Sequence, residues 1–141
     1  MPGERTKESR QGAGVAPRAG APAVLVVDDD PDMRGYLRRC LRSVAARVVE
    51  AVDGEEALGL VRDAGPGAFD LIIADVVMPG LDGLALRSAL LAEPGLGAPT
   101  VLLVTGESVG PAYEPILRKP FNAGTLRQRV HALLSRDRTS R

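Results

Sequence analysis

Leu71-Ile72-Ile73-Ala74-Asp75-Val76-Val77-Met78-Pro79-Gly80 is the stretch on which the fold turns. Four apolar residues run without alternation and stop at a carboxylate. A strand solvated on one face would alternate apolar with polar. An unbroken run bounded by turn residues reads as a strand covered on both faces, the habit of parallel sheets. Val24-Leu25-Val26-Val27 before Asp28, and Val101-Leu102-Leu103-Val104 before Thr105, repeat the pattern. A weaker strand is expected over Arg47 to Ala51.

Between these runs the apolar period changes to three and four. Met33, Leu37, Cys40, Leu41 and Val44 follow it, as do Ala57, Leu58 and Val61, then Leu84, Leu86, Leu90 and Leu91, and finally Leu126, Val130, Leu133 and Leu134. Asp30 followed by Pro31 suits the start of the first helix; Asp53, Asp82 and Asn122 are expected to cap the other three. Strand and helix therefore alternate, which predicts an α/β fold: an open sheet with helices on both faces and right-handed crossovers.

The 141 residues carry 18 Lys+Arg against 18 Asp+Glu, so no polyelectrolyte partner is implied. Hydrophobic residues make up 45%, enough for one core, while 3% aromatic residues argue against a base-stacking nucleic-acid platform. No run approaches the roughly 20 apolar residues of a membrane span, no apolar segment follows the basic N-terminus to make a secretory signal, and the lone Cys40 makes no internal disulfide. We expect a flexible tail over 1–21, one domain over 22–135 and a polar tail over 136–141, in the cytoplasm.

In an open sheet of this kind, residues just past the carboxyl ends of the strands gather in one crevice. Asp28, Asp29, Asp75, Thr105 and Lys119 are the candidates to meet there. Carboxylates so close repel unless a cation joins them, and a hard oxygen donor set suits Mg2+ completed by water and phosphate oxygens. Taken singly, each residue has a plainer reading: an acid run ahead of a helix is a capping arrangement, Thr105 a loop hydroxyl and Lys119 a solvated cation. Their joint order at strand ends is what points to a metal-assisted phosphoryl acceptor.

Val26-Val27-Asp28-Asp29-Asp30, Asp75-Val76-Val77-Met78-Pro79-Gly80-Leu81-Asp82-Gly83, Val104-Thr105-Gly106 and Lys119-Pro120-Phe121, in that order, resemble the motifs of response-regulator receiver domains, the CheY-like superfamily, over about Ala23 to Ser135. The resemblance implies a flavodoxin-like doubly wound five-stranded parallel sheet of order 2-1-3-4-5. It implies that Asp75 accepts a phosphoryl group, that Asp28, Asp29, Asp75 and the Val77 backbone carbonyl hold Mg2+, that Thr105 and Lys119 contact the phosphoryl group, and that the Lys119-Pro120 peptide is cis. The partners it implies are a sensor histidine kinase or phosphotransfer protein and a downstream target protein, with neither nucleic acid nor membrane.

The sequence departs from the family pattern after Thr105. Gly106-Glu107-Ser108-Val109-Gly110-Pro111-Ala112-Tyr113-Glu114-Pro115 contains two glycines and two prolines, so the helix that the family places here is expected to be absent or vestigial. Ile116 occupies the position of the family's aromatic switch residue, with Tyr113 the nearest substitute. Losing that helix is expected to bare apolar sheet surface, and so a homodimer or partner face, unless the loop folds over it. Val77 is apolar where many relatives are polar, which predicts a persistent phosphoryl group. The expected function is a stand-alone signalling switch and not a turnover enzyme. The alternatives are a phosphorylation-independent pseudo-receiver, and a Mg2+-dependent aspartyl phosphohydrolase for which Asp28 and Asp30 have the spacing but Pro31 and the short chain do not fit.

Overall fold

The computed structural model describes residues 20–44 and 47–139. In chain order these form β1 (Ala23–Val27), α1 (Pro31–Leu41), a 3-10 turn (Arg42–Val44), β2 (Arg47–Ala51), α2 (Gly54–Ala64), β3 (Leu71–Asp75), α3 (Gly83–Ala92), β4 (Val101–Thr105), a second 3-10 turn (Pro111–Tyr113), β5 (Ile116–Arg118) and α4 (Ala123–Thr139). The strands make one parallel sheet in the order β2-β1-β3-β4-β5. The tail expected over 1–21 falls almost wholly outside the described residues.

The apolar runs behave as parallel-sheet strands do. All five residues of β1, β3 and β4 are buried, and successive side chains feed opposite layers. Val24, Val26, Leu71, Ile73, Leu102 and Val104 pack with Leu37 and Leu41 of α1 and Leu126 and Val130 of α4. Leu25, Val27, Ile72, Ala74 and Leu103 pack on the other face with Ala57 and Val61 of α2 and Leu86 and Leu90 of α3. Burying two layers leaves little backbone unpaired, because the ladder satisfies the inner strands, the helices satisfy their own interiors, and side chains cap the helix starts.

Each helix starts at its expected cap. The Asp30, Asp53 and Asp82 carboxylates accept from the N–H of Asp32, Glu56 and Ala85, and Asn122 accepts from the N–H of Thr125. Two details differ from expectation. Leu91 is 47% exposed, because Leu86 and Leu90 share the inward stripe of α3 and the next residue is turned about 100° from it. Helix α4 continues to Thr139, past the boundary expected at 135, since Arg136-Asp137-Arg138 offers neither glycine nor proline to stop it.

The β4–β5 connection contains the 3-10 turn Pro111–Tyr113, and the fourth α-helix in chain order, α4, follows β5. The loop folds back onto the sheet: Val109 and Tyr113 pack against the layer that holds Leu103 and Ile116. Apolar surface beside β4 and β5 is therefore covered from within the chain. Two arginines hold the loop down. Arg87 of α3 places its guanidinium 5.6 Å from the centre of the Tyr113 ring and donates from Nη2 to the Ala112 carbonyl at 3.3 Å. Arg129 of α4 donates from Nη2 to the Ile116 carbonyl at 2.8 Å, and the Ile116 N–H donates to Glu114 Oε1 at 3.1 Å.

Candidate phosphoryl-acceptor site

The sheet delivers the candidate residues to one edge. Asp28 follows the last residue of β1, and its N–H donates to the Ala51 carbonyl at 3.2 Å, the final rung of the β1–β2 ladder. Asp75 closes β3, Thr105 closes β4, and the Lys119 N–H donates to the Thr105 carbonyl at 2.9 Å just beyond β5. Because β1 and β3 are neighbours at the point where the strand order reverses, Asp28 and Asp75 lie side by side.

Asp75 is buried and both of its oxygens are engaged. Lys119 Nζ lies 3.1 Å from Oδ2, and the Val77 N–H donates to Oδ1 at 3.2 Å. The loop that supplies Val77 needs glycine twice. Gly80 has φ of +74°, a conformation that side chains with a Cβ disfavour. Gly83 starts α3 directly against the Asp75 backbone, where an added Cβ would run into the Asp75 carbonyl; its N–H donates to the Val76 carbonyl at 3.1 Å. The Lys119–Pro120 peptide is cis, as the resemblance implied, and Glu114–Pro115 is cis as well.

One carboxylate oxygen from each of Asp28, Asp29 and Asp75 lies within 4.8 Å of the others. Oxygens around octahedral Mg2+ at about 2.05 Å from the metal stand about 2.9 Å apart when adjacent and about 4.1 Å when opposite. The donor set is all hard oxygen and needs only a small contraction, so these residues fit Mg2+. Asp28 carries the electrostatic cost of the cluster. Burial pushes its carboxyl from the usual 3.8 up to about 6, with Asp75 and Asp29 adding to the rise, while the Asp30 N–H and Lys119 oppose it. The Asp30 N–H donates to Asp28 Oδ1 at 2.9 Å, which ties that carboxylate to the start of α1.

Thr105 is fully buried, and its hydroxyl faces its own loop: Oγ1 accepts from the Glu107 N–H at 2.9 Å and donates to the Glu107 carbonyl at 3.3 Å. Ile116 and Tyr113 belong to the layer of the core that includes Leu86 and Leu90 of α3, and the Tyr113 ring lies against Arg87. Val77 is 59% exposed at the mouth of the site. His131 is exposed and Cys40 is a buried free thiol.

Sequence reasoning missed two residues that brace the site, Arg34 and Glu50. Arg34 Nη1 donates to the Asp28 carbonyl at 2.7 Å, and its Nε donates to Glu50 Oε1 at 3.0 Å. Burial works to raise the Glu50 pKa, but hydrogen bonds from Arg38 and Arg34 outweigh it and hold the carboxyl below its ordinary value. A signal was present: Glu50 interrupts an apolar strand, and Arg34 and Arg38 sit four apart on α1.

The family model described as "Response regulator receiver domain" matches residues 24–131. The transcriptional regulatory protein PrrA of Mycobacterium tuberculosis is 40% identical over 123 residues, covering 82% of this chain and 51% of PrrA. The transcriptional activator protein PfeR of Pseudomonas aeruginosa is 36% identical over 130 residues, covering 86% of this chain and 40% of PfeR. The chain thus spans about half the length of these curated relatives or less. Among solved structures, the response regulator TrrA of Thermotoga maritima, in complex with Mg2+-BeF, superposes with a TM-score of 0.69 at 29% identity, covering 79% of this chain and 98% of TrrA. Motif order, sheet topology, the acidic crevice and these relatives agree, and the chain belongs to the response-regulator receiver-domain family.

Proposed function

We propose that this chain is a phosphorylation-driven signalling switch, taking a phosphoryl group on Asp75 from a phosphohistidine of a sensor histidine kinase or phosphotransfer protein in the cytoplasm. The observation that carries the reading is the seating of Asp75: buried, paired with Lys119 and beside Asp28 and Asp29. In the reaction an Asp75 oxygen attacks phosphorus. The P–N bond to the donor imidazole breaks, its electron pair stays on nitrogen, and the new O–P bond makes an acyl phosphate. Asp28, Asp29, Asp75 and the Val77 carbonyl would hold Mg2+, which supplies positive charge to the phosphoryl oxygens.

The protein's own groups do the remaining work. The Lys119 ammonium, now on Asp75 Oδ2, exchanges that contact for a phosphoryl oxygen. The Thr105 hydroxyl turns to the same group and gives up Glu107, which frees the loop from Gly106 to Pro115 at its first residues. The downstream partner reads that loop, and no homodimer is required, since the apolar face beneath is already covered. The energy of the switch is the differential binding of the phosphoryl group to the two loop states.

Acetyl phosphate with Mg2+ and intact-mass measurement tests the reading. One phosphoryl group is expected on the wild type, none without Mg2+ and none on Asp75→Asn. No adduct, together with no beryllofluoride binding, overturns it in favour of a phosphorylation-independent binding module; repeated turnover of small phosphate esters overturns it in favour of a hydrolase.

A further inference from the structure

The β1–β2 ladder ends at the pair Val27 and Ala51. Beyond it the Val52 N–H is taken by Glu56 Oε1 at 2.8 Å, and Asp53 has turned to cap α2. The Asp28 carbonyl therefore leaves the sheet without a strand partner, in a residue only 2% exposed. Arg34 fills the gap, reaching back from the first turns of α1 to donate from Nη1 at 2.7 Å. The guanidinium is held in that pose by Glu50 on β2, which accepts from Arg34 Nε at 3.0 Å and from Arg38 Nε at 2.7 Å.

Asp28 is thus gripped at both ends, its carboxylate by the Asp30 N–H and its carbonyl by Arg34. The peptide that joins it to Asp29 lies between the two grips, so its tilt sets where the exposed Asp29 carboxylate points. We propose that Arg34, fixed by Glu50, is a positioning residue for the Asp28–Asp29 cation-binding turn, an inference that rests on the reading of that turn as a Mg2+ site. Outer contacts of this kind orient ligands whose own geometry would otherwise be loose, and their removal typically weakens metal affinity about 10- to 100-fold.

The sign of the effect separates positioning from mere charge. Arg34 is a cation close to a cation site, so if its charge were all that mattered, deleting it would tighten metal binding. Arg38 provides a matched control: it shares Glu50 and donates to the Val48 carbonyl at 3.3 Å, but its contacts are with β2 and not with Asp28. Mn2+ binding to the metal-free protein, followed by electron paramagnetic resonance, would be compared for wild type, Arg34→Met and Arg38→Met, alongside thermal unfolding of each without metal. The expected result is a loss of Mn2+ affinity of about tenfold or more for Arg34→Met, with wild-type affinity kept in Arg38→Met although both lose thermal stability.

Unchanged or tighter binding in Arg34→Met, or equal losses in both variants, would overturn the positioning role and leave a structural ion pair. Should Arg34→Met fail to fold, Arg34→Lys reads the same property, because one ammonium serves the carbonyl and Glu50 poorly together. A loss of affinity smaller than that of Arg34→Met is expected there, and wild-type affinity would overturn the proposal. If the wild type itself binds no Mn2+, the reading of the turn as a cation site fails, and this inference with it.

Discussion

The carboxyl edge of β1 and β3 and the connection from β4 to β5 are built on opposite plans. At the first, constraints accumulate: ladder bonds, the Asp30 and Asp82 caps, a glycine pressed against the Asp75 backbone, and Arg34 on the Asp28 carbonyl. At the second, ten residues cross the sheet with one 3-10 turn, held by Arg87, Arg129 and two half-buried side chains, Val109 and Tyr113. The difference suits the function proposed above, in which ligands that share a cation stay put while the loop that reports phosphorylation has two arrangements close in energy.

The comparison breaks most easily at its rigid side. Gly83→Ala forces a Cβ into the Asp75 carbonyl, and α3 must move away from β3; we expect a loss of about 2–3 kcal/mol in urea unfolding and weaker beryllofluoride binding. A loss under about 0.5 kcal/mol would show the rigid edge to be softer than its contacts imply.

The next largest effect is electrostatic. The Asp28 carboxyl sits higher in the folded chain, at about 6, than its usual 3.8. Between those values the folded state holds more proton than the unfolded one, so this stabilising contribution is full below the lower value and is lost as pH rises through the upper. Metal-free protein is therefore expected to lose stability across that window, and Asp28→Asn to flatten the slope. Mg2+ would stabilise more at pH 7.5 than at pH 5, because below the upper value a proton competes with the cation. Denaturant titrations at several pH values check both.

On the adaptable side, Tyr113→Ala removes a half-buried ring and its contact with Arg87, and is expected to cost about 1 kcal/mol. Its sharper signature is local: amide exchange should speed up across Gly106 to Pro115 while β1 and β3 stay protected. If the whole sheet exchanges faster, the connection is part of the rigid unit and the contrast fails. The smallest effect concerns Val77, whose exposed side chain offers no hydrogen bond to an attacking water. Val77→Asn is expected to shorten the acyl-phosphate lifetime severalfold with no change in stability, and an unchanged lifetime would remove the side chain from that role.

Much of the rigid edge was legible from local pattern. Unbroken apolar runs announced buried strands, and each of Asp30, Asp53, Asp82 and Asn122 announced the helix it caps. The order of Asp28, Asp75, Thr105 and Lys119 at strand ends placed the crevice, because strand ends in a parallel sheet face one way. Less of the second region could be read. Glycine and proline in Gly106 to Pro115 argued against a long helix, but whether the loop left the sheet bare or covered it depended on where Val109 and Tyr113 came to rest.

By itself the sequence determined the alternation of strand and helix, the caps and the edge on which the acids gather, since these follow from unbroken apolar runs, from the 3.6 period of the helices and from backbone groups within a few residues. Only the tertiary structure decided that Arg34 reaches the Asp28 carbonyl and Glu50, that Thr105 bonds to Glu107, and that Arg87 lies over Tyr113. Those contacts depend on how helices cross the sheet and which rotamer each long side chain takes, and no local period encodes either.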